Sequence, residues 1–458
     1  MITTNPWRHQ REAADFALAR RNAMLCVPMG GGKSLSALIV AAEAEARSIV
    51  ILCPLSVVGV WRREFVRHAP GAFTVLCPSG GVKEKAQLLA DQIARAEARG
   101  QRFAVALNYE AAWREPLASL LTGRAWDLLI LEESHRIKSP WGKASKFATD
   151  LARCCRRRLA LTGTPAPHSP LDLFAQARAV DPKVFGFSFV SFRNRYAVTH
   201  PQFPGKVTKW INQGELQEKF KGLAYQCDLT GVLDVPEATD QVITVRLGAK
   251  ARRLYSQLEA EMWAAIDKGE VSVGNALTRL LRLQQITSGH VATDDGKVIE
   301  VDDAKRAALA DLLEDVPAEV PVVVFCRFVR DLDAVAEVAE ASGRAYGEIS
   351  GRRKDLTPQA EMPAGVGLMG VQIQSGGVGI DLTRAGVAVY FSTGLALGDY
   401  LQSRARLHRP GQKRHVSFLH LVAEATVDET VMEALERKQE VVETVLMGRQ
   451  RAQKATAA

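Results

Sequence analysis

Two short strings hold the groups that phosphate chemistry needs. Met24–Ser34 reads MLCVPMGGGKS: an apolar run, then Gly30, Gly31, Gly32, Lys33 and Ser34, then a helix-forming stretch. Glycines let the backbone wrap closely around phosphates and aim its amide N–H groups at them. Lys33 adds a mobile positive charge, Ser34 a hydroxyl suited to Mg²⁺, and the following helix its positive end. Val27 stands where the strict GxxxxGK[ST] pattern has glycine. A Gly-rich turn with an incidental lysine is the alternative, and the strand before and helix after weigh against it. The second string, Trp126–Lys138, reads WDLLILEESHRIK and sets Glu132, Glu133 and His135 at the end of an apolar run. Adjacent carboxylates at a buried strand end are costly unless a cation compensates them. A magnesium nucleotide would do so, one carboxylate holding the ion and the other orienting the attacking water. An acidic helix start favoured by the helix dipole is the alternative. Leu161–Pro165, LTGTP, is a further strand-end polar loop that takes its weight from this company.

The second half of the chain adds Gln402–Gln412, QSRARLHRPGQ. Arg406 and Arg409 are three apart, a spacing that puts both on one face of a helix. Paired arginines directed at a γ-phosphate would need such a face; a solvated basic helix is the alternative. Upstream, Gln374–Leu382, QSGGVGIDL, predicts a Gly-rich turn between strand and helix. Its amides could hold a nucleic-acid phosphate, and Asp381 could reach the nucleotide.

These groups need rigid elements beneath them. Ala23–Val27, Ser48–Leu52, Phe103–Leu107, Leu128–Leu131 and Leu159–Leu161 are short, unpatterned apolar runs bounded by Gly, Pro or charge. Strands buried on both faces of a parallel sheet look like this. Helical spacing fills the gaps, as at Leu35–Arg47 and Lys83–Arg99, so the first 180 residues predict a doubly wound α/β domain. Ligands of such a domain bind beyond the carboxyl ends of its strands. Residues 181–300 differ: aromatic and basic residues crowd Phe185–Tyr196, a strand is expected at Gln241–Leu247, and helices run from Lys250 to about Ser288. From Val301 the α/β rhythm returns, with helices at Ala304–Leu313 and Asp331–Ala341. Strands are expected at Val322–Phe325, near Val366–Met369, at Val387–Phe391 and at Ser417–Leu421.

At 458 residues the chain is too long for one ordinary domain. Uncharged apolar stretches such as Ser48–Trp61 and Ala385–Gly398 fall short of the roughly 18 apolar residues of a membrane span. MITTNPWRHQRE lacks the apolar stretch of a secretory leader, so a cytoplasmic location is expected. The seven cysteines form no CxxC or Cys/His ligand cluster and read as reduced thiols. The net charge of +8 is uneven. Residues 1–180 carry 25 Lys and Arg against 15 Asp and Glu, a net +10, while residues 301–458 carry a net −3. A basic excess in one part suits a polyanionic partner.

In order, these strings resemble the superfamily-two helicases and, within them, the SWI/SNF-type DNA translocases. The resemblance runs from Trp7 to about Glu440. Trp7-Arg8-His9-Gln10 looks like an adenine-reading Q motif, Met29–Ser34 like motif I, and Cys53-Pro54-Leu55-Ser56 with Trp61 like motif Ia. Asn108-Tyr109-Glu110 resembles the next DNA-facing element, Glu132–His135 stands in the DEAH position, and Leu161–Pro165 resembles motif III. Phe192–Tyr196 and Leu280–Ile286 are similar to segments around the family's helical insertions. Val322–Phe328 is similar to motif IV, Ser375–Leu382 to motif V, and Gln402–Gln412 to motif VI, the most family-specific of the set.

The resemblance implies two RecA-like doubly wound parallel-sheet lobes of α/β class with short helical insertions. Lobe one would be residues 1–240, with an insertion at about 181–235. Lobe two would be 241–458, with an insertion at about 250–290 and a C-terminal helix. It implies ATP and Mg²⁺ as ligands. Gln10, Gly30, Gly31, Gly32, Lys33, Ser34, Asp381 and Gln402 would bind the nucleotide, and Ser34 with Glu132 the metal. Lys33, Glu133, Arg406 and Arg409 would be catalytic. Pro54, Ser56, Asn108, Tyr109, Ser375, Gly376 and Gly377 would face nucleic acid. The partner implied is duplex DNA gripped by its backbone, with no membrane, a monomeric chain and a recruiting protein of unknown kind. A strand-separating or branch-remodelling helicase is the rival enzyme. A nucleic-acid-binding protein with a degenerate ATPase site is the rival without activity. That second rival rests on Glu132, which stands where the family has Asp. The retained set, with short insertions, predicts a bare motor of the bacterial or phage kind.

Overall fold

The computed structural model describes residues 2–201, 207–227, 235–267, 273–292, 297–374 and 380–447. The chain forms two compact units, Met1–Leu233 with Lys438–Ala458, and Asp234–Arg437. The division therefore falls earlier than 240/241, and the end of the chain joins the first unit. Both differences have a physical reason. Strand Ala238–Val245 pairs along its whole length with Val416–Ala423, so no boundary can cut it. Val441, Val442, Val445 and Leu446 pack against the core of the first unit.

The first unit contains β1 (Asn22–Cys26), β2 (Ser48–Cys53), β3 (Thr74–Leu76), β4 (Phe103–Asn108) and β5 (Trp126–Glu132). β6 (Cys155–Leu161), β7 (Ala197–Thr199), β8 (Val207–Trp210) and β9 (Ala224–Gln226) follow. Seven of them form one parallel sheet in the order β3-β4-β2-β5-β6-β1-β9. Every residue of β4 is buried, as an unpatterned apolar run requires. Because the strands are parallel, the carboxyl ends of β1, β2, β4, β5 and β6 share one edge, and the motif loops gather there. The segment expected as a helical insertion at 181–235 contains helices Pro182–Phe185, Phe189–Tyr196 and Gln213–Leu223. It also contains the antiparallel hairpin β7–β8, and β9 returns to the main sheet beside β1.

The second unit holds β10 (Ala238–Val245), β11 (His290–Ala292), β12 (Val298–Glu300), β13 (Val322–Cys326), β14 (Tyr346–Ile349), β15 (Leu368–Gln372), β16 (Val387–Tyr390) and β17 (Val416–Ala423). Its main sheet is parallel in the order β10-β17-β16-β13-β15-β14. Val322 and Val324 pack into one apolar layer and Val323 and Phe325 into another, so β13 is covered on both faces. Helices Ala249–Asp267 and Val273–Thr287 form the insertion. Each unit is a RecA-like lobe of α/β class.

Candidate active site

Gly30 and Gly32 take φ values of +79° and +73°, the left-handed region that a side chain resists. The loop can therefore curl back at the end of β1 before helix Lys33–Glu43 begins. A Cβ on Gly32 would also run into the Gln10 side-chain amide, which would have to swing away from the loop. Gln10 latches the first helix to this loop. Its Nε2 donates to the Gly31 carbonyl at 3.2 Å, and its Oε1 accepts from the Trp7 amide at 2.8 Å. His9 Nε2 donates to the same Gly31 oxygen at 2.8 Å. Lys33 is buried, and its ammonium donates to the carbonyls of Val27 (3.0 Å) and Pro28 (3.4 Å). Ser34 is half-buried on the first turn of the helix.

Strand β5 carries Glu132 and Glu133 to the same edge, both buried. Glu133 has φ +49°, a strained setting for a residue with a side chain. Its Oε2 lies 3.3 Å from His135 Nδ1, and that nitrogen lies 3.3 Å from Thr162 Oγ1 at the end of β6. Thr162 Oγ1 in turn accepts from the Thr164 amide at 3.1 Å. A continuous polar chain thus joins the carboxylate to the LTGTP loop. Gln176 reinforces it, accepting from Ser134 Oγ at 2.7 Å and donating to Pro165 O at 2.6 Å. Gln176 was not singled out from sequence; its signal is a lone amide inside the apolar helix Leu173–Val180.

Burial pushes the Glu132 carboxyl up to about 8, the charge of Glu133 adds to the shift, and Lys33 opposes it. Glu132 Oε2 is buried with no hydrogen-bond partner among the described residues. Two buried carboxylates and one lysine leave a deficit of positive charge that a divalent cation bound with phosphates would remedy. The residues fit that group.

The residues expected to face nucleic acid fare differently. Pro54 is buried, whereas Ser56 is exposed on the turn Leu55–Val57. Asn108 is buried at the rim of a groove that Arg62, Ser79, Gly80 and Lys85 also line. It accepts from Lys85 Nζ at 3.4 Å and donates to Glu110 Oε2 at 3.1 Å. Tyr109 is corrected: it is 2% exposed, and its hydroxyl donates to the Glu132 carbonyl at 2.9 Å. The short helix Tyr109–Ala112 turns it into the core, so it braces the carboxylate strand and cannot touch a nucleic acid.

In the second unit the helix Leu397–Leu407 ends before Arg409, so Arg406 and Arg409 do not share a helical face. Pro410 is the reason, since the residue before proline is pushed away from helical geometry. Arg406 is 4% exposed on the last turn of the helix, and its carbonyl accepts from the Leu382 amide at 3.1 Å. Arg409 sits on the following turn and donates from Nη1 to the Ile380 carbonyl at 3.3 Å. The two arginines meet the 380–382 segment from different elements. Asp381 Oδ1 accepts from the Thr383 amide (2.9 Å) and hydroxyl (2.6 Å), closing its own turn. Gln402 is half-buried on the helix. Ser375, Gly376 and Gly377 lie outside the described residues. Gln412 is a staple: its Nε2 donates to Ala385 O and Leu407 O, both at 3.0 Å.

Residues 9–290 match the SNF2-related domain family. The chain is 27% identical to protein p41 of Acyrthosiphon pisum secondary endosymbiont phage 1, over 97% of this chain and 99% of that one. It is 27% identical to a SWI/SNF-related matrix-associated actin-dependent regulator of chromatin subfamily A-like protein 1 homolog of Caenorhabditis elegans. It is 26% identical to the DNA annealing helicase and endonuclease ZRANB3 of Mus musculus. These two matches take in 95% and 98% of this chain, which spans only 61% and 41% of those longer proteins. Among solved structures, the Sulfolobus solfataricus SWI2/SNF2 ATPase core in complex with dsDNA is similar at 20% identity and a TM-score of 0.45. That match covers 98% of this chain and 94% of that one. The chain belongs to the SNF2-related family of helicase superfamily two.

Proposed function

We propose that this chain is an ATP-driven motor that moves along duplex DNA without necessarily separating its strands. The buried pair Glu132 and Glu133, beside Lys33 at the end of a parallel sheet, is the observation that carries the reading. ATP phosphates would lie on the Gly30–Gly32 amides and the start of helix Lys33–Glu43. There the Lys33 ammonium would exchange its carbonyl partners for phosphate oxygens. Ser34 and Glu132 would hold Mg²⁺, which when bound neutralises charge on the phosphates. Glu133 accepts a hydrogen bond from the attacking water, and the His135–Thr162 chain fixes its carboxylate direction. Arg406 and Arg409 supply positive charge to the transferred phosphoryl group. Gln10 serves the adenine end, with Gln402 and Asp381 as further nucleotide contacts.

DNA is the partner favoured by the net +10 of residues 1–180 and by a relative named as a DNA annealing helicase. Ser56 and the groove of Arg62, Lys85 and Asn108 would grip the backbone, which gives little sequence preference and strong salt dependence. A cytoplasmic monomer is the proposed form. Among the described residues no helix is long and apolar enough to cross a membrane. The test is displacement of a third strand from a triplex, run beside displacement of one strand of a forked duplex. ATP-dependent triplex release without fork opening supports the reading. Fork opening makes the chain a helicase, and neither activity leaves it a binder.

A further inference from the structure

One face of the first unit carries large apolar side chains that the fold itself holds outward. Trp141 is 66% exposed, Phe187 67% and Val190 46%. Their exposure is built into two fastened turns. The Ser139–Gly142 turn closes through Gly142 N to Ser139 O at 3.2 Å. Arg178 Nη2 clamps it, donating to Pro140 O and Ser145 Oγ, both at 3.0 Å. The second turn follows helix Pro182–Phe185, with Gly186 at φ +80°, and Ser188 Oγ caps the next helix by accepting from Ser191 N at 3.3 Å. The turns meet through Trp141 and Phe189, whose rings stand edge to face at 6.4 Å and 84°. Phe189 rests in turn on core Phe174, 5.5 Å away.

The segments that carry these side chains are predominantly basic, with Asp181 capping the start of the second. Residues 136–146 hold Arg136, Lys138, Lys143 and Lys146 and no carboxylate; residues 182–196 hold Lys183, Arg193 and Arg195 and none either. Of these, Arg195 is engaged with Glu215. A rigid aromatic centre with a basic rim has the anatomy of a protein-binding surface, where buried Trp and Phe anchors carry most of the energy. Single-stranded nucleic acid suits it less. Successive bases stack on parallel ring faces, and Trp141 and Phe189 stand perpendicular, while the aliphatic Val190 offers no stacking face.

We infer that this face docks an acidic, amphipathic segment of a partner protein, whose apolar side chains cover Trp141 and Phe187 and whose carboxylates meet the lysine rim. The inference is independent of the nucleotide site and goes beyond the motor reading. The test titrates the full chain into a labelled synthetic peptide alternating Glu with Leu and Phe. Parallel arms use the same peptide with Lys in place of Glu, oligo-dT, and sedimentation of the chain alone. The acidic peptide binds and the lysine version does not. Trp141→Ala or Phe187→Ala, neither of which changes charge, weakens binding by about tenfold or more while the melting temperature holds. Lys143→Glu weakens it as well. Unchanged binding by Trp141→Ala overturns the proposal. So does oligo-dT binding that Trp141→Ala abolishes, which makes the face a nucleic-acid site. Self-association lost in Trp141→Ala overturns it too, as an interface between copies.

Discussion

The phenol of Tyr109 donates to the carbonyl oxygen of Glu132 at 2.9 Å, tying the end of β4 to the end of β5. Burial pushes this phenol well above its ordinary pKa, so it stays a donor at any physiological pH. A backbone acceptor at a buried strand end needs a partner, and this bond supplies one where the carboxylate pair begins.

Tyr109→Phe removes only the hydroxyl. It should cost about 1 kcal/mol of stability and lower ATP turnover, while DNA affinity stays within about twofold. Thermal melts, steady-state hydrolysis and DNA titration check this. A collapse of DNA affinity with turnover intact would mean the residue faces the nucleic acid after all.

The two neighbouring carboxylates probe separate roles. Glu132→Asp should leave hydrolysis unchanged or raise it, because Asp is what the resembled family carries there. Glu133→Gln keeps the shape but loses the negative acceptor for water, so hydrolysis should vanish while ATP and DNA binding persist. A wild-type chain that is inactive until Glu132→Asp is made would be a degenerate ATPase. A normal rate in Glu133→Gln would place the catalytic carboxylate elsewhere.

The arginines should now separate as well. Arg409→Ala, on a turn, should cut turnover by about 10³–10⁵ with little change in melting temperature. Arg406→Ala removes a side chain that is 4% exposed, so it should lower the melting temperature as well as turnover. Turnover of Arg409→Ala within a few-fold of the parent contradicts the assigned role.

How much of this was legible in the sequence follows from which forces act locally. β4 is buried on both faces, so its five apolar residues, Phe103–Leu107, announce it. Gly30 and Gly32 announced a tight loop because few other residues tolerate their geometry. β14 stays hidden because its interior holds Gly347 and Glu348, the latter buried among partners in Arg352, Ser350 and Tyr346. The β7–β8 hairpin and β9 are too short to show a period. Tyr109 and Gln176 were misread or missed because their roles depend on partners distant in the chain. The arginine face failed at Pro410, a local signal that the three-residue spacing outweighed.

Asp331 gives a pH prediction for the second unit. Its Oδ2 accepts from the Phe328 amide at 3.1 Å and from the Ser392 hydroxyl, and burial pushes the carboxyl up to about 7. The folded state thus favours the neutral acid. Its stabilising effect is full below the unfolded value of about 4 and is lost as pH rises towards 7. His290 Nδ1, 3.6 Å from Asp331 Oδ1, is pushed down to about 4 by burial and stays neutral across pH 5–8. Urea unfolding of Asp331→Asn should therefore gain on the parent between pH 5 and pH 8. A constant difference across that range contradicts the assignment.

The central claim of the proposed function is that the chain hydrolyses ATP through Glu133 and that duplex DNA stimulates it. Steady-state ATP hydrolysis, measured with no nucleic acid, with duplex DNA, with single-stranded DNA and with RNA, tests it most directly. The account predicts a slow basal rate, raised most by duplex DNA and abolished in Glu133→Gln. Equal rates under all four conditions would contradict it.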